Sequence, residues 1–154
     1  MTDVTVTGSG KCACGRISFR VYGEPIWTAG CCCRDCARAT GTPYVVWVGF
    51  STDAVRFENS KPTLAETSEG VLRGYCEKCG SSLTYGRTEE YDTTDRLLYI
   101  SAATLDDPNR FPPTEVVWYS QRPEWFELVQ TIPLHDGVSP DQSDRAYNSA
   151  KQRQ

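Results

Sequence analysis

Eight cysteines stand in three short groups: Cys12 and Cys14 in CAC, Cys31, Cys32, Cys33 and Cys36 in CCCRDC, and Cys76 and Cys79 in CEKC. Thiolates spaced one to three residues apart serve as metal ligands or as redox pairs. One CxxC alone is a weak signal, whereas three such groups in one chain point to metal. Buried, unligated thiols would be scattered, and adjacent or alternate cysteines make strained disulfides with each other. In a reducing compartment thiols stay free, which also favours metal.

The spacing separates two roles. In an extended segment successive side chains point to opposite sides, so Cys31 and Cys33 face one point while Cys32 faces away. A curl after Cys33 returns Cys36 to that point and gives a three-thiolate set. The other four, Cys12, Cys14, Cys76 and Cys79, complete a tetrahedral set for Zn²⁺. Gly15 and Gly80 each follow the second cysteine of a pair, where positive φ lets the backbone turn tightly around a metal. Four thiolates close the coordination of zinc, and three leave a position for water or substrate. The expectation is two Zn²⁺ per chain, one structural and one chemical. Two closed sites with Cys32 as the eighth ligand are the alternative, which the strand alternation disfavours.

The elements that must position these sulfurs read as β-structure. In GRISFRVYG, Ile17, Phe19 and Val21 alternate with polar residues, the period of a strand with one buried face. Tyr44 to Phe50 is β-branched and aromatic nearly throughout, as in a strand covered on both sides. Ala54 to Phe57, Val71 to Tyr75, Leu83 to Tyr85, Arg96 to Ala102 and Glu115 to Tyr119 are further strands, separated by turn-forming residues. Only Asp35 to Ala39 and Pro123 to Leu128 read as short helices. The expected fold is mainly β: a zinc-containing, β-sandwich-like single domain over residues 1–135, with a zinc-ribbon-like element and few short helices. Residues 136–154 are polar and read as a disordered tail. Trp47, Trp118 and Trp125 read as packing residues, and Asp106 and Asp107 as a turn.

With 154 residues, 39% of them apolar, and a formal net charge of −4, the chain has a core to bury and no basic block to follow a phosphate backbone. Nucleic-acid binding is therefore not expected. The sequence has no apolar run of membrane-spanning length, and MTDVTVTGSG lacks the layout of a signal peptide, so a cytoplasmic, membrane-free protein is expected.

Taken together, GKCACGRISF, CCCRDCARATG, GYCEKCGSSL, TLDDP and WYSQRPEWFEL resemble the glutathione-dependent formaldehyde-activating enzyme family, which includes centromere protein V-like domains. The resemblance runs from about Gly10 to Pro133. It implies a mainly β fold with a zinc-ribbon-like element. Cys12, Cys14, Cys76 and Cys79 match the structural zinc ligands, and Cys31, Cys33 and Cys36 match the three-cysteine site. It also implies addition of glutathione to formaldehyde, giving S-hydroxymethylglutathione, or the reverse carbon–sulfur lyase reaction. Two positions depart from the pattern: Cys32 and Glu115 stand where the family usually has histidine, so two imidazoles able to move protons near neutral pH are absent. The sole histidine, His135, follows the last core motif and takes no role.

These residues lead to an enzyme acting on a small-molecule thiol or thiol adduct, glutathione among them. Zinc on three thiolates carries a formal charge of −1, which makes it a modest Lewis acid still able to take an incoming thiol as thiolate. Arg34 and Arg38 flank the site and have the geometry to hold carboxylates of a glutathione-like ligand. The rival readings are a non-catalytic zinc module for a protein partner, and a redox or metal sensor in which Cys32 attacks an oxidised neighbour.

Overall fold

A computed structural model describes residues 5–87 and 97–130. His135 and the tail expected for residues 136–154 lie outside the described residues. Among the described residues, ten strands and one α-helix follow one another: Val6–Lys11 (β1), Ser18–Tyr22 (β2), Trp27–Cys31 (β3), Arg34–Thr40 (α1), Val45–Ser51 (β4), Val55–Glu58 (β5), Thr63–Ser68 (β6), Val71–Tyr75 (β7), Ser82–Arg87 (β8), Leu97–Ser101 (β9) and Glu115–Val117 (β10). Short 3-10 helices occupy Thr52–Ala54, Ala102–Thr104, Tyr119–Gln121 and Glu124–Gln130. The helix expected at Pro123 to Leu128 is thus of the 3-10 type. No helix of the described residues is long and apolar enough to cross a membrane.

The strands form two open sheets, a three-stranded one in the order β1-β2-β5 and a seven-stranded one in the order β10-β3-β4-β9-β8-β7-β6. All neighbours are antiparallel except β10, which runs parallel to β3 with Val117 opposite Cys31. Ile17, Phe19, Val21 and Val55 of the small sheet or the turn before it share one buried cluster with Val48, Phe50, Leu98 and Ile100 of the large sheet. The alternation that marks β2 in the sequence therefore fills the space between two sheets, as in a sandwich. The other face of the large sheet carries a second cluster, built on Cys31, Cys36, Val45 and Trp47.

The registers align this second face into a row: Trp27 lies opposite Gly49, Gly49 opposite Tyr99, Tyr99 opposite Tyr85, and Tyr85 opposite Arg73. Because Gly49 has no side chain, the rings of Trp27 and Tyr99 meet edge to face across it with centroids 5.6 Å apart. Tyr99 and Tyr85 stack next to them at 5.0 Å. An aromatic wall spanning four strands thus leads from Trp27 to Arg73.

Three strands escape the sequence patterning. β1 and β3 contain glycines and small residues that dilute any apolar period, and β6 alternates only weakly, as expected at a sheet edge. Two tryptophans are also placed differently from expectation. Trp47 is buried, but Trp118 is 61% and Trp125 56% exposed, so neither of the latter is a core residue. Trp118 follows the end of β10 with φ of 55°, a left-handed conformation that turns the chain out of the sheet.

Gly10 fixes how β1 meets the rest of the core. It pairs with Leu105, and a Cβ there would run into the Thr104 carbonyl oxygen and the Phe19 ring, neither of which can move freely. Gly10→Ala is expected to cost about 1–3 kcal/mol by overpacking. Thermal unfolding should show a fall of roughly 2–4 °C for each kcal/mol in a chain of this size.

Candidate metal centres

Two tight turns build the first group of sulfurs. After β1, Cys12 N–H donates to Ile17 O (2.9 Å) and Gly15 N–H to Cys12 O (3.0 Å); after β7, Cys76 N–H donates to Ser81 O (3.0 Å) and Gly80 N–H to Cys76 O (2.7 Å). Gly15 and Gly80 have φ of 75° and 76°, the left-handed conformation their position after each cysteine pair calls for. The two turns are joined by Ala13 N–H donating to Ser81 Oγ at 2.9 Å and by an exposed Arg16–Glu77 ion pair.

Their four sulfurs, from Cys12, Cys14, Cys76 and Cys79, all lie within 4.8 Å of one another. The Cys12–Cys14 separation is 3.6 Å and the Cys14–Cys76 separation 3.8 Å. Zinc–sulfur bonds of about 2.3 Å in a tetrahedron require sulfur–sulfur edges of about 3.8 Å, so the donor set fits zinc in number, type and spacing. Cys12 and Cys76 are buried, Cys14 and Cys79 exposed. The Ser81 hydroxyl and backbone hold the Cys79 thiol down at about 5, while Cys12 is lowered by the Ile17 backbone and its sulfur neighbours against the opposing effect of burial. Thiolate is the ligating form, so these two shifts favour metal uptake, while Cys14, despite the Arg16 backbone, is pushed up to about 11 by burial and the neighbouring sulfurs.

The second group sits where β3 passes into α1. Cys33 is the N-cap of α1 in extended backbone geometry, and its Sγ accepts from Cys36 N–H at 3.3 Å. The curl expected after Cys33 is this capping turn. It brings the sulfurs of Cys31, Cys33 and Cys36 within 4.8 Å of one another. The Cys36 thiol is pushed down to about 5, chiefly by a hydrogen bond from Cys31 and further by Arg73, whose Nη2 donates to its sulfur at 3.6 Å. Cys31 is pushed up by the same partnership. Three sulfurs of this kind also fit zinc, and among the described residues no fourth histidine, cysteine or carboxylate ligand atom joins the group within 4.8 Å.

Cys32 belongs to neither group. It is 1% exposed, its N–H donates to Val117 O, and burial pushes its thiol up. Tyr44, whose ring packs over Gly30, has its pKa raised chiefly by burial and further by its proximity to Cys32. Strand alternation thus separates Cys32 from Cys31 and Cys33.

A cavity of about 340 Å³ opens over the three-cysteine group. The aromatic wall of Trp27, Trp47, Tyr85 and Tyr99 lines it, together with Val71, Arg73, Arg34 and Asp35, and Trp118 and Gln121 stand at its edge. Arg34 is exposed, and its N–H donates to Gln121 Oε1 at 3.0 Å. Arg38 does not reach this cavity; it lines a separate depression with Asp35, Ala39, Thr67 and Ser68. Glu115 accepts a hydrogen bond from Trp27 Nε1 at 2.5 Å, so the carboxylate at the position where histidine was expected steadies one wall. Sequence reasoning missed Arg73, Tyr85 and Tyr99, since a lone arginine and two tyrosines in strands carry no spacing signal. Only the register Arg73–Tyr85–Tyr99 gathers them.

The two groups should respond differently to loss of one ligand. Metal analysis of Cys31→Ser is expected to show one metal equivalent fewer with a cooperative unfolding transition retained. Cys79→Ser should lose that transition, because its group ties together segments far apart in the chain. Equal loss of structure in both variants would contradict the division.

Residues 7–121 match the family model described as glutathione-dependent formaldehyde-activating enzyme. A search of curated proteins finds no significant match. Among solved structures, the chain is similar to a Rhodobacter sphaeroides protein known from a crystal structure, with a TM-score of 0.53 and 18% identity over 71% of this chain and 99% of that one. That likeness supports the fold alone. With three quarters of its length matched to the family model, and the cysteine groups inside the match, the chain belongs to the glutathione-dependent formaldehyde-activating enzyme family.

Proposed function

We propose that this protein is a zinc-dependent enzyme of the carbon–sulfur lyase type, acting on the adduct of a thiol such as glutathione with formaldehyde. One zinc would be held for structure by Cys12, Cys14, Cys76 and Cys79, and a second for chemistry by Cys31, Cys33 and Cys36. The observation that carries this reading is the three-sulfur group under a cavity of about 340 Å³, with no fourth ligand atom within 4.8 Å of the group among the described residues. When bound there, zinc supplies a Lewis-acidic position that favours the thiolate form of an incoming thiol.

In the direction of addition, the thiol gives up its proton and its sulfur forms a bond to the carbonyl carbon. The carbonyl π electrons move to oxygen, which takes up a proton to give the S-hydroxymethyl product. The lyase direction reverses each change. The walls formed by Trp27, Trp47, Tyr85 and Tyr99 hold water away from the reacting atoms. Asp35, at the first turn of α1, is the carboxylate among the cavity residues and is the group in place to accept and return the proton. Arg34 is available for a ligand carboxylate at the mouth, whereas Arg38 opens onto the neighbouring depression. The burial of Cys32 counts against a thiol sensor, which needs an accessible thiolate.

Exchange between formaldehyde and its glutathione adduct, followed by NMR with ¹³C-formaldehyde, tests the reading. The zinc-loaded protein should accelerate exchange roughly tenfold or more over the uncatalysed rate, and Cys33→Ser should return it to background while remaining folded. A wild-type protein with both sites loaded and no acceleration would sink the enzyme reading in favour of a non-catalytic zinc module.

A further inference from the structure

Arg73 is a buried charge that the packing of the sheet leaves incompletely partnered. Its side chain is 6% exposed. Nε donates to Thr67 Oγ1 at 3.1 Å, Nη2 to Cys36 Sγ at 3.6 Å, and the guanidinium carbon lies 5.2 Å from the Tyr85 ring centroid. Nη1 is buried and has no acceptor. Among the described residues, no carboxylate forms an ion pair with it.

A charged group taken out of water without its full set of partners is costly. A sheet that needed only bulk at this position would be better served by an apolar side chain. Val71 and Arg73, two apart on β7, both face the cavity over the three cysteines. The unpartnered Nη1 therefore belongs to a buried side chain that lines the space a ligand would fill, on the same guanidinium that touches Cys36.

We propose that Arg73 is the specificity-determining residue of this cavity, with its under-partnered guanidinium taking up a carboxylate of the thiol that binds beside Cys31, Cys33 and Cys36. The assignment rests on the thiol reading above and adds the acidic character of the ligand. Three thiolates and one divalent ion leave a formal charge of −1, which repels an anionic thiol; the Arg73 cation offsets it. A guanidinium also matches a carboxylate with parallel N–H donors, and aromatic walls strengthen the pair by excluding water. Arg34, exposed at the mouth, is screened by solvent and contributes less.

The test is calorimetric titration of the zinc-loaded protein with mercaptoacetate and 2-mercaptoethanol, two short thiols that differ in bearing a carboxylate or a hydroxyl, with acetate as a thiol-free probe. Wild-type protein should bind mercaptoacetate at least tenfold more tightly than 2-mercaptoethanol. In Arg73→Gln the preference should fall below about threefold, with zinc content checked alongside. Because Arg73→Gln can also weaken the metal site through Cys36, Arg73→Lys is run in parallel and should lose part of the preference with both metals retained.

Equal binding of the two thiols by wild type, or an undiminished preference in either variant, overturns the role of Arg73 and leaves the thiol reading standing. Absence of binding by both thiols, with acetate bound by wild type and lost in Arg73→Gln, overturns the thiol reading and upholds the anion-anchoring role. Absence of all three overturns both.

Discussion

The constraint on which the structure turns is the meeting of four sulfurs from two tight turns, one at the end of β1 and one between β7 and β8. Sulfurs held 3.6–3.8 Å apart would repel one another as thiolates, and a divalent cation at their centre would convert that repulsion into attraction. The turns belong to different sheets, so this one cluster fastens the small sheet to the far half of the large one. The buried cluster that joins Phe19 and Val21 to Phe50 and Ile100 includes Cys12 and Cys76, and so metal group and apolar core support each other.

The large sheet does two jobs with its two faces. One face fills the space between the sheets, and the other supplies the aromatic wall and the three-cysteine group. Strand alternation makes the division possible: on β4, Val48 and Phe50 join the cluster between the sheets while Val45 and Trp47 join the cluster around Cys31 and Cys36. This is why the Tyr44 to Phe50 run is apolar almost without interruption. The β3–α1 junction then uses one further backbone device, a cysteine N-cap, to bend the third sulfur back to the first.

The placement of polar groups in and beside the cavity follows from the same registers. Glu115 reaches Trp27 because β10 runs parallel beside β3, and Arg73 reaches Cys36 because β7 lies on the same face of the same sheet. Glu115 thus braces a wall of the cavity through its bond to Trp27. Cys32 is buried apart from the three grouped sulfurs, where its thiol packs rather than joining them.

The sequence by itself determined the local chemistry. Cysteine spacing, glycines after each pair and alternation through Cys31–Cys33 are properties of adjacent residues, so they predict which sulfurs can face one point and which cannot. The β character was equally legible, since Ile17, Phe19 and Val21 or the Tyr44 to Phe50 run depend only on a two-residue period. What the tertiary structure alone decided is everything set by partners distant in the chain. β1, β3 and β6 are strands because a neighbour pairs with them, although glycine and polar residues blur their own pattern. Trp118 and Trp125 are exposed although tryptophan tends to be buried, and Arg38 faces away from the cavity that Arg34 lines. Arg73 is silent in the sequence for the same reason: only the cross-strand register, fixed by hydrogen bonding over the whole sheet, sets a lone cation beside Cys36.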